Sequence, residues 1–409
     1  MAELFEPRTF GYEWEIMLLN RDLSVPERAE ILEIAHEIRK SVTGSESGFD
    51  FLTGGVGNML EIRSGILYSV GDLLRSTDSH LTNTREILKK KKFLLLPLGT
   101  HPGVGKAIGF HIHIGSIYDV KLSKKIADSL IRYVPVFISI AANSPFGKGE
   151  YGRFKSYRMA SSAELMSIPE NIYDDRLFHW QWGQDITLTT DEHSTIEFRV
   201  NDSPLSETFV NEYTSFVAAF VFSFKEEDFI ELNEESYEEY IINRWRATKY
   251  GLQAILKWEG NEVPVTEIIE GMIERCDFKV IGGEKPSLIM EMLKKRRTQA
   301  DWQLDIMKKV NDFFQVAENI SSLFLQGDYF PDYIENSNAL PVAKPEALED
   351  FILSRIGKET QYRDIYQLLL MPYPLLDKYL DKLVLEGKVK VEMDPEKGKR
   401  YTKIDRKNQ

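Results

Sequence analysis

Four short runs in this chain repeat one arrangement: two ionisable residues two positions apart, with an apolar residue between them. They are Glu13-Trp14-Glu15, Glu61-Ile62-Arg63, His111-Ile112-His113 and Glu197-Phe198-Arg199. A helix does not bring positions i and i+2 onto one face, because neighbours there lie three and four residues apart. A strand does so of necessity, since alternate side chains leave the pleat on the same side. Each run is therefore expected to be a strand whose apolar residue faces a core and whose ionisable pair faces away. If the four strands share one sheet, a single face gathers four carboxylates, two imidazoles and two guanidiniums.

Carboxylates on one face repel unless cations lie among them. Bound divalent metal would supply those cations, and a set rich in carboxylate with some imidazole suits Mg²⁺ or Mn²⁺. Zinc held by thiolates is excluded, because the chain has one cysteine, Cys276. The arginines suit phosphate or carboxylate oxygens through paired hydrogen bonds. One such pair alone would ordinarily be a surface ion pair or a structural histidine; four repetitions argue for a site.

The surrounding pattern gives the fold class. Strands are expected at 11–19, 58–63, 93–98, 110–116 and 194–200. Ser24-Val25-Pro26-Glu27 has the spacing of a capping box and is expected to open a helix burying Ile31, Ile34, Ala35 and Ile38. Further helices are expected at 70–91, 122–142, 206–224, 234–258 and 287–325. Strands come first and helices gather later, which reads as α+β with a mostly antiparallel sheet flanked by helices. The proline- and glycine-bearing stretch 326–345 reads as a break. Beyond it, helices at 346–356, 361–370 and 374–386 and a hairpin at 388–404 form a small C-terminal winged-helix-like domain. The expected division is a domain at 1–330, a linker at 331–345 and the small domain at 346–409.

Net charge is −13, so the chain as a whole is a poor match to nucleic acid. The first ten residues lack the basic start and apolar run of a secretory signal. The most apolar stretch, 134–142, is far short of a membrane span. With its single cysteine, the chain is expected to be cytoplasmic. Gly103-Val104-Gly105-Lys106 lacks the spacing of a phosphate loop, and Ala107 stands where Ser or Thr would hold a metal. The glycines of Thr53-Gly54-Gly55-Val56-Gly57 have no dinucleotide-binding spacing. Both are read as turns.

Eight stretches in order resemble the second type of glutamate–cysteine ligase and the related carboxylate–amine ligases of the glutamine synthetase-like superfamily. They are Gly11-Tyr12-Glu13-Trp14-Glu15, Leu60-Glu61-Ile62-Arg63-Ser64-Gly65-Ile66, Thr100-His101-Pro102 and Phe110-His111-Ile112-His113-Ile114-Gly115. They continue with Ala141-Ala142-Asn143-Ser144-Pro145-Phe146, Ser156-Tyr157-Arg158, Thr195-Ile196-Glu197-Phe198-Arg199-Val200-Asn201-Asp202 and Asn243-Arg244-Trp245-Arg246-Ala247-Thr248-Lys249-Tyr250-Gly251. The resemblance covers about residues 8–330 and implies a glutamine synthetase-like sheet. It also implies that ATP phosphorylates a carboxylate, usually the γ-carboxylate of glutamate, and that cysteine or another amine then displaces phosphate. By that likeness Glu13, Glu15, Glu61, His111 and Glu197 hold Mg²⁺ or Mn²⁺. His113 and Arg199 sit near the phosphates, Arg63 and Arg158 grip the substrate carboxylate or acyl phosphate, and Asn243 and Arg246 lie toward the nucleotide. A homo-oligomer is expected, as is common for this fold. Two departures bear on the substrate: the segment Phe178-His179-Trp180-Gln181-Trp182-Gly183-Gln184-Asp185 has no arginine, and the loop 143–158 lacks an Asp-Thr-Gly run.

The C-terminal unit is foreign to that likeness. Its net charge is +1, and from Lys388 onward it is +4. Its third helix carries Asp377 and Asp381, which suit a DNA groove poorly. It is read as a recruiting module for a peptide or carrier protein, or as a dimerising one. Two other functions stay open: a regulatory protein that keeps the ligase fold, and a ligase acting on a peptide or protein carboxylate brought in by the tail.

Overall fold

One strand, Thr9–Leu19 (β1), is paired along nearly its whole length and has three strand partners. The computed structural model describes residues 7–41, 49–50, 59–91, 93–100, 108–115, 120–147, 149–161, 185–189, 195–230, 233–344, 347–357, 359–371, 373–395 and 398–404. The two glycine-bearing turns, His101 and Pro102, and the tryptophan segment up to Gln184 lie outside these residues.

After β1 the strands are Phe49–Asp50 (β2), Met59–Arg63 (β3), Leu94–Leu96 (β4), Gly109–Gly115 (β5), Phe146–Gly147 (β6), Glu150–Tyr151 (β7), Ile186–Thr189 (β8) and Thr195–Asp202 (β9). Ile255–Trp258 (β10), Asn261–Pro264 (β11), Thr360–Gln361 (β12), Val389–Asp394 (β13) and Gly398–Lys403 (β14) follow. The helices are Arg28–Ser41 (α1), Val70–Lys90 (α2), Val120–Ile131 (α3), Val134–Ala141 (α4), Tyr157–Ser161 (α5), Glu207–Phe222 (α6), Glu234–Tyr250 (α7) and Val265–Arg275 (α8). They continue with Ser287–Lys295 (α9), Gln299–Val310 (α10), Phe313–Gln326 (α11), Phe330–Asn336 (α12), Leu348–Arg355 (α13), Tyr362–Leu369 (α14) and Tyr373–Leu385 (α15).

The main sheet runs β2-β3-β1-β5-β9-β8, with β4 also paired to β1, and every pairing is antiparallel. Its inner face is apolar: Trp14, Ile62, Ile112 and Phe198 are all fully buried. Below them lie α4 and α6, whose Phe137, Phe209, Tyr213 and Phe216 are also buried. The Phe137 and Phe198 rings meet edge-on at 5.3 Å. Burying each such ring contributes about 1.5–3 kcal/mol, so the sheet is held in register from beneath. The ionisable pairs are left on the opposite face.

Four expected elements differ, each for a local reason. Ser24 does not cap a helix: its hydroxyl donates to Asp22 at 2.6 Å and accepts from Asn20 at 2.9 Å, and α1 starts at Arg28. The expected helix 122–142 is two helices, α3 and α4, because Pro135 can only enter at a helix start. The helix expected to reach 258 stops at Gly251, whose positive φ of 54° ends α7 before the β10–β11 hairpin. The stretch 287–325 is broken into α9, α10 and α11 by Arg296 and Asn311, both left-handed with φ of 50° and 49°.

The tail has three helices, α13 to α15, against a three-stranded antiparallel sheet ordered β12-β14-β13. It is seated on the larger body. The carbonyls of Gln367, Leu368 and Leu369 close the C-terminal end of α14, where helical acceptors run out of partners. Arg153 donates to the first two and the buried Trp245 Nε1 donates to Leu369 at 3.2 Å. Lys249 lies 4.0 Å above the Phe351 ring, and Lys378 pairs with Glu238 at 2.5 Å. Upstream, residues 340 and 343 are hydrogen-bonded along the body through Lys295 and Gln253. Among the described residues, no helix is long and apolar enough to cross a membrane.

Candidate active site

The strand register brings all four ionisable pairs together. Glu13 stands opposite Arg63 on one side and His111 on the other; Glu15 stands opposite Glu61, and His113 opposite Glu197. Opposite His111, β9 carries an extra residue between Phe198 and Asn201, a bulge that turns Arg199. The Arg199 amide is held there by the Asp185 carbonyl at 3.0 Å.

Charges interleave across this face. His111 Nδ1 lies 3.3 Å from Glu13 Oε2 and 3.3 Å from Glu197 Oε1. His113 Nε2 lies 3.7 Å and 4.0 Å from the same two oxygens. Arg63 Nε is 2.5 Å from Glu61 and 3.3 Å from Glu13, and Arg199 pairs with Glu197. Glu15 accepts the Gly109 amide at 2.5 Å. Gly109 leaves room for this crowding: a Cβ there would lie 2.5 Å from Arg158 Nη2 and 2.8 Å from His111 Nε2.

Protonation follows from this packing. Burial pushes Glu61 up to about 7, and the charge of Glu13 adds to that against the pull of Arg63. Burial also opposes ionisation of Glu13, but His111 and His113 outweigh it and hold this carboxyl well below the usual range. Glu197 is lowered too, with His111, His113 and Arg199 overcoming its burial. Burial disfavours charge on His113, yet Glu13 and Glu197 raise it overall.

The donor set fits a hard divalent cation. Ligand atoms of Glu13, His113 and Glu197 all lie within 4.8 Å of one another. Among the described residues, Glu61 Oε2 and His113 Nε2 are buried without a hydrogen-bond partner, although each belongs to this cluster. Buried polar atoms are ordinarily satisfied, so two orphans on one carboxylate-rich face mark a place for a further group.

The remaining expected residues are placed differently. Arg158 is buried and spends its guanidinium on backbone, donating to the Arg199 and Asn201 carbonyls at 2.9 and 3.1 Å. Arg63 and Arg199 keep 37% and 29% of their side chains exposed, so these two can still meet a ligand. Asn243 clamps Lys257, giving to its carbonyl and taking from its amide, both at 2.7 Å. Arg246 pairs with Glu262 at 2.7 Å and lines a cavity of about 340 Å³ against the tail with Lys257, Asp350 and Tyr379. The contacts of Asn243 and Arg246 tie them to the β10–β11 hairpin, not to the carboxylate face.

Sequence reasoning missed the supports. Buried Arg244 forms a two-bond pair with Asp185 at 2.7 and 3.0 Å, which Tyr240 joins. Asp202 accepts from the Asn143 amide, Ser144 and Ser156 at 2.7, 2.7 and 3.1 Å. Thr187 and Thr195 bond Glu197 and His113. Arg244, Asn143, Ser144, Ser156, Asp202 and Thr195 all lie inside the matching stretches, so their position was visible though their role was not.

No family model matches the chain. It is 25% identical over 302 residues to "Putative glutamate–cysteine ligase 2" of Paracidovorax citrulli (strain AAC00-1), covering 61% of this chain and 76% of that one. The chain is similar in sequence to proteins of that name. Its fold resembles solved structures. Glutamate–cysteine ligase from Francisella tularensis, in complex with AMP, matches with a TM-score of 0.51 at 12% identity, over 82% of this chain and 93% of that one. A bifunctional glutathione synthetase from Pasteurella multocida matches with a TM-score of 0.53 at 14% identity over 79% of this chain. This chain spans about half, 52%, of that longer enzyme.

Proposed function

We propose that this protein is an ATP- and divalent-metal-dependent ligase that joins a carboxylate to an amine through an acyl phosphate. The carboxylate in this reading is the γ-carboxylate of glutamate, and the amine is cysteine or another amino compound. The observation that carries it is the convergence of Glu13, His113 and Glu197 donor atoms within 4.8 Å on one sheet face edged by two open arginines. The relative's name and the AMP bound to the Francisella enzyme support the same chemistry.

In this reading Glu13, Glu15, Glu61, His111 and Glu197 hold Mg²⁺ or Mn²⁺, which would neutralise charge on the phosphates. Arg199 faces the transferring phosphoryl group, His113 joins the cation's ligands on the phosphate side through Nε2, and Arg63 grips the carboxylate or acyl phosphate. Arg158 acts one step back, fixing the backbone that carries Arg199. The larger body is a glutamine synthetase-like domain, and the tail from 346 is a winged-helix-like unit. A second reading, with a peptide or protein carboxylate as substrate, draws on Leu385 and Met393, which the tail leaves 87% and 73% exposed.

The test is phosphate release from ATP with Mg²⁺, offering glutamate with a panel of amines including cysteine. Release that needs both acid and amine, and is lost in Glu15→Gln, supports the ligase and names its substrates. ATP binding without release across the panel favours the peptide or protein carboxylate. No ATP binding overturns the enzyme reading.

A further inference from the structure

His113 and Glu197 are each gripped from behind by a threonine. His113 Nδ1 lies 3.0 Å from Thr195 Oγ1, while its Nε2 faces Glu13 and Glu197 and is buried without a hydrogen-bond partner. Glu197 Oε2 accepts the Thr187 hydroxyl at 2.8 Å, while Oε1 faces His111, His113 and Arg199. The two threonines come from the edge pairing of the sheet: Thr187 is opposite Glu197, and Thr195 begins β9 two residues before it.

A neutral imidazole has one N–H and one lone pair, and the partner of one nitrogen decides what the other offers. With Thr195 accepting from Nδ1–H, the Nε2 lone pair is presented to the carboxylate face. With Thr187 holding Oε2, the Glu197 carboxylate cannot rotate, and Oε1 stays turned inward. The geometry points to Thr195 and Thr187 as positioning residues that preset His113 and Glu197 as ligands for a divalent cation. This inference rests on the metal-dependent reading above. The β8 edge is then a second tier of the site, and a serine or threonine hydroxyl is required at both positions.

The test is Mn²⁺ titration of the full chain without nucleotide, followed by the electron paramagnetic resonance signal of the free ion. Thr195→Val and Thr187→Val should each weaken Mn²⁺ binding about 10- to 100-fold, as loss of an outer hydrogen bond to a metal ligand does. Thr195→Ser should bind like the wild type, since it keeps the hydroxyl and loses only a methyl. Urea midpoints, measured in parallel, should move little in all three. If both valine variants bind like the wild type while Glu13→Gln does not, the threonines only pack, and the metal reading stands without them. Thr195→Ser binding as weakly as Thr195→Val would likewise overturn the hydroxyl's role. Wild-type protein that takes up no Mn²⁺ would overturn both readings.

Discussion

Glu13 and Arg63 face each other across β1 and β3, with Arg63 Nε 3.3 Å from Glu13 Oε1. Arg63 also touches Glu61, so one guanidinium offsets two of the crowded carboxylates. Glu13→Gln should remove a ligand and also strip His111, His113 and Arg63 of their shared partner. We expect activity to fall by ~10²- to 10³-fold and thermal stability without metal to fall as well, because the pairing that lowers the Glu13 pKa is lost. Differential scanning fluorimetry beside a phosphate-release assay separates the two effects.

The two arginines around β9 should fail in different ways. Arg199 is partly open, whereas Arg158 is buried on backbone carbonyls. Arg199→Ala should cut kcat with little change in urea midpoint. Arg158→Ala leaves two carbonyls bare and should cost about 2–5 kcal/mol of stability. Equal loss of stability in both would contradict this division.

Arg244 is 1% exposed and paired with Asp185 through two hydrogen bonds. Removing one member of a buried pair strands the other's charge. Arg244→Met should destabilise by about 3–5 kcal/mol. The double change Arg244→Met with Asp185→Asn should recover part of that loss, which a double-mutant cycle in urea would measure.

His80 on α2 is 1% exposed, and burial pushes it down to about 4 from an ordinary 6.5. The unfolded chain takes up a proton near the ordinary value, while the folded chain resists until the lower one. Stability is thus unaffected above pH 6.5 and is lost as pH falls toward 4, by on the order of 3 kcal/mol in full. His80→Gln should flatten this slope in denaturant melts between those limits, whatever its effect at neutral pH.

Much of the carboxylate face was legible because strand periodicity is short-range: Glu61-Ile62-Arg63 must split its side chains between two faces wherever the strand goes. What the run could not say is which strands are neighbours; that is set by pairing between distant positions, as between Thr9 and Gly115. The helix break at Pro135 was missed although proline marks it, whereas the left-handed break at Arg296 carries no such mark in the sequence. The resemblance sets Asn243 and Arg246 toward the nucleotide; in the fold Asn243 bonds Lys257, and Arg246 pairs with Glu262 beside a cavity. Arg244, between them, looked ordinary because burial of a charge leaves no trace in local spacing.

The order in which charge arrives has a consequence for how the chain reaches this fold. β1 and β3 bring Glu13, Glu15 and Glu61 together with only Arg63 to offset them. The imidazoles come with β5, and Arg199 comes last with β9, more than 180 positions after β1 begins. Until β5 docks, paired β1 and β3 carry three carboxylates against one guanidinium, and non-local pairing of this kind is slow. On a ribosome, these two strands would thus emerge mismatched and wait for a partner translated later. The chemistry that equips the finished face is also a brake on building it.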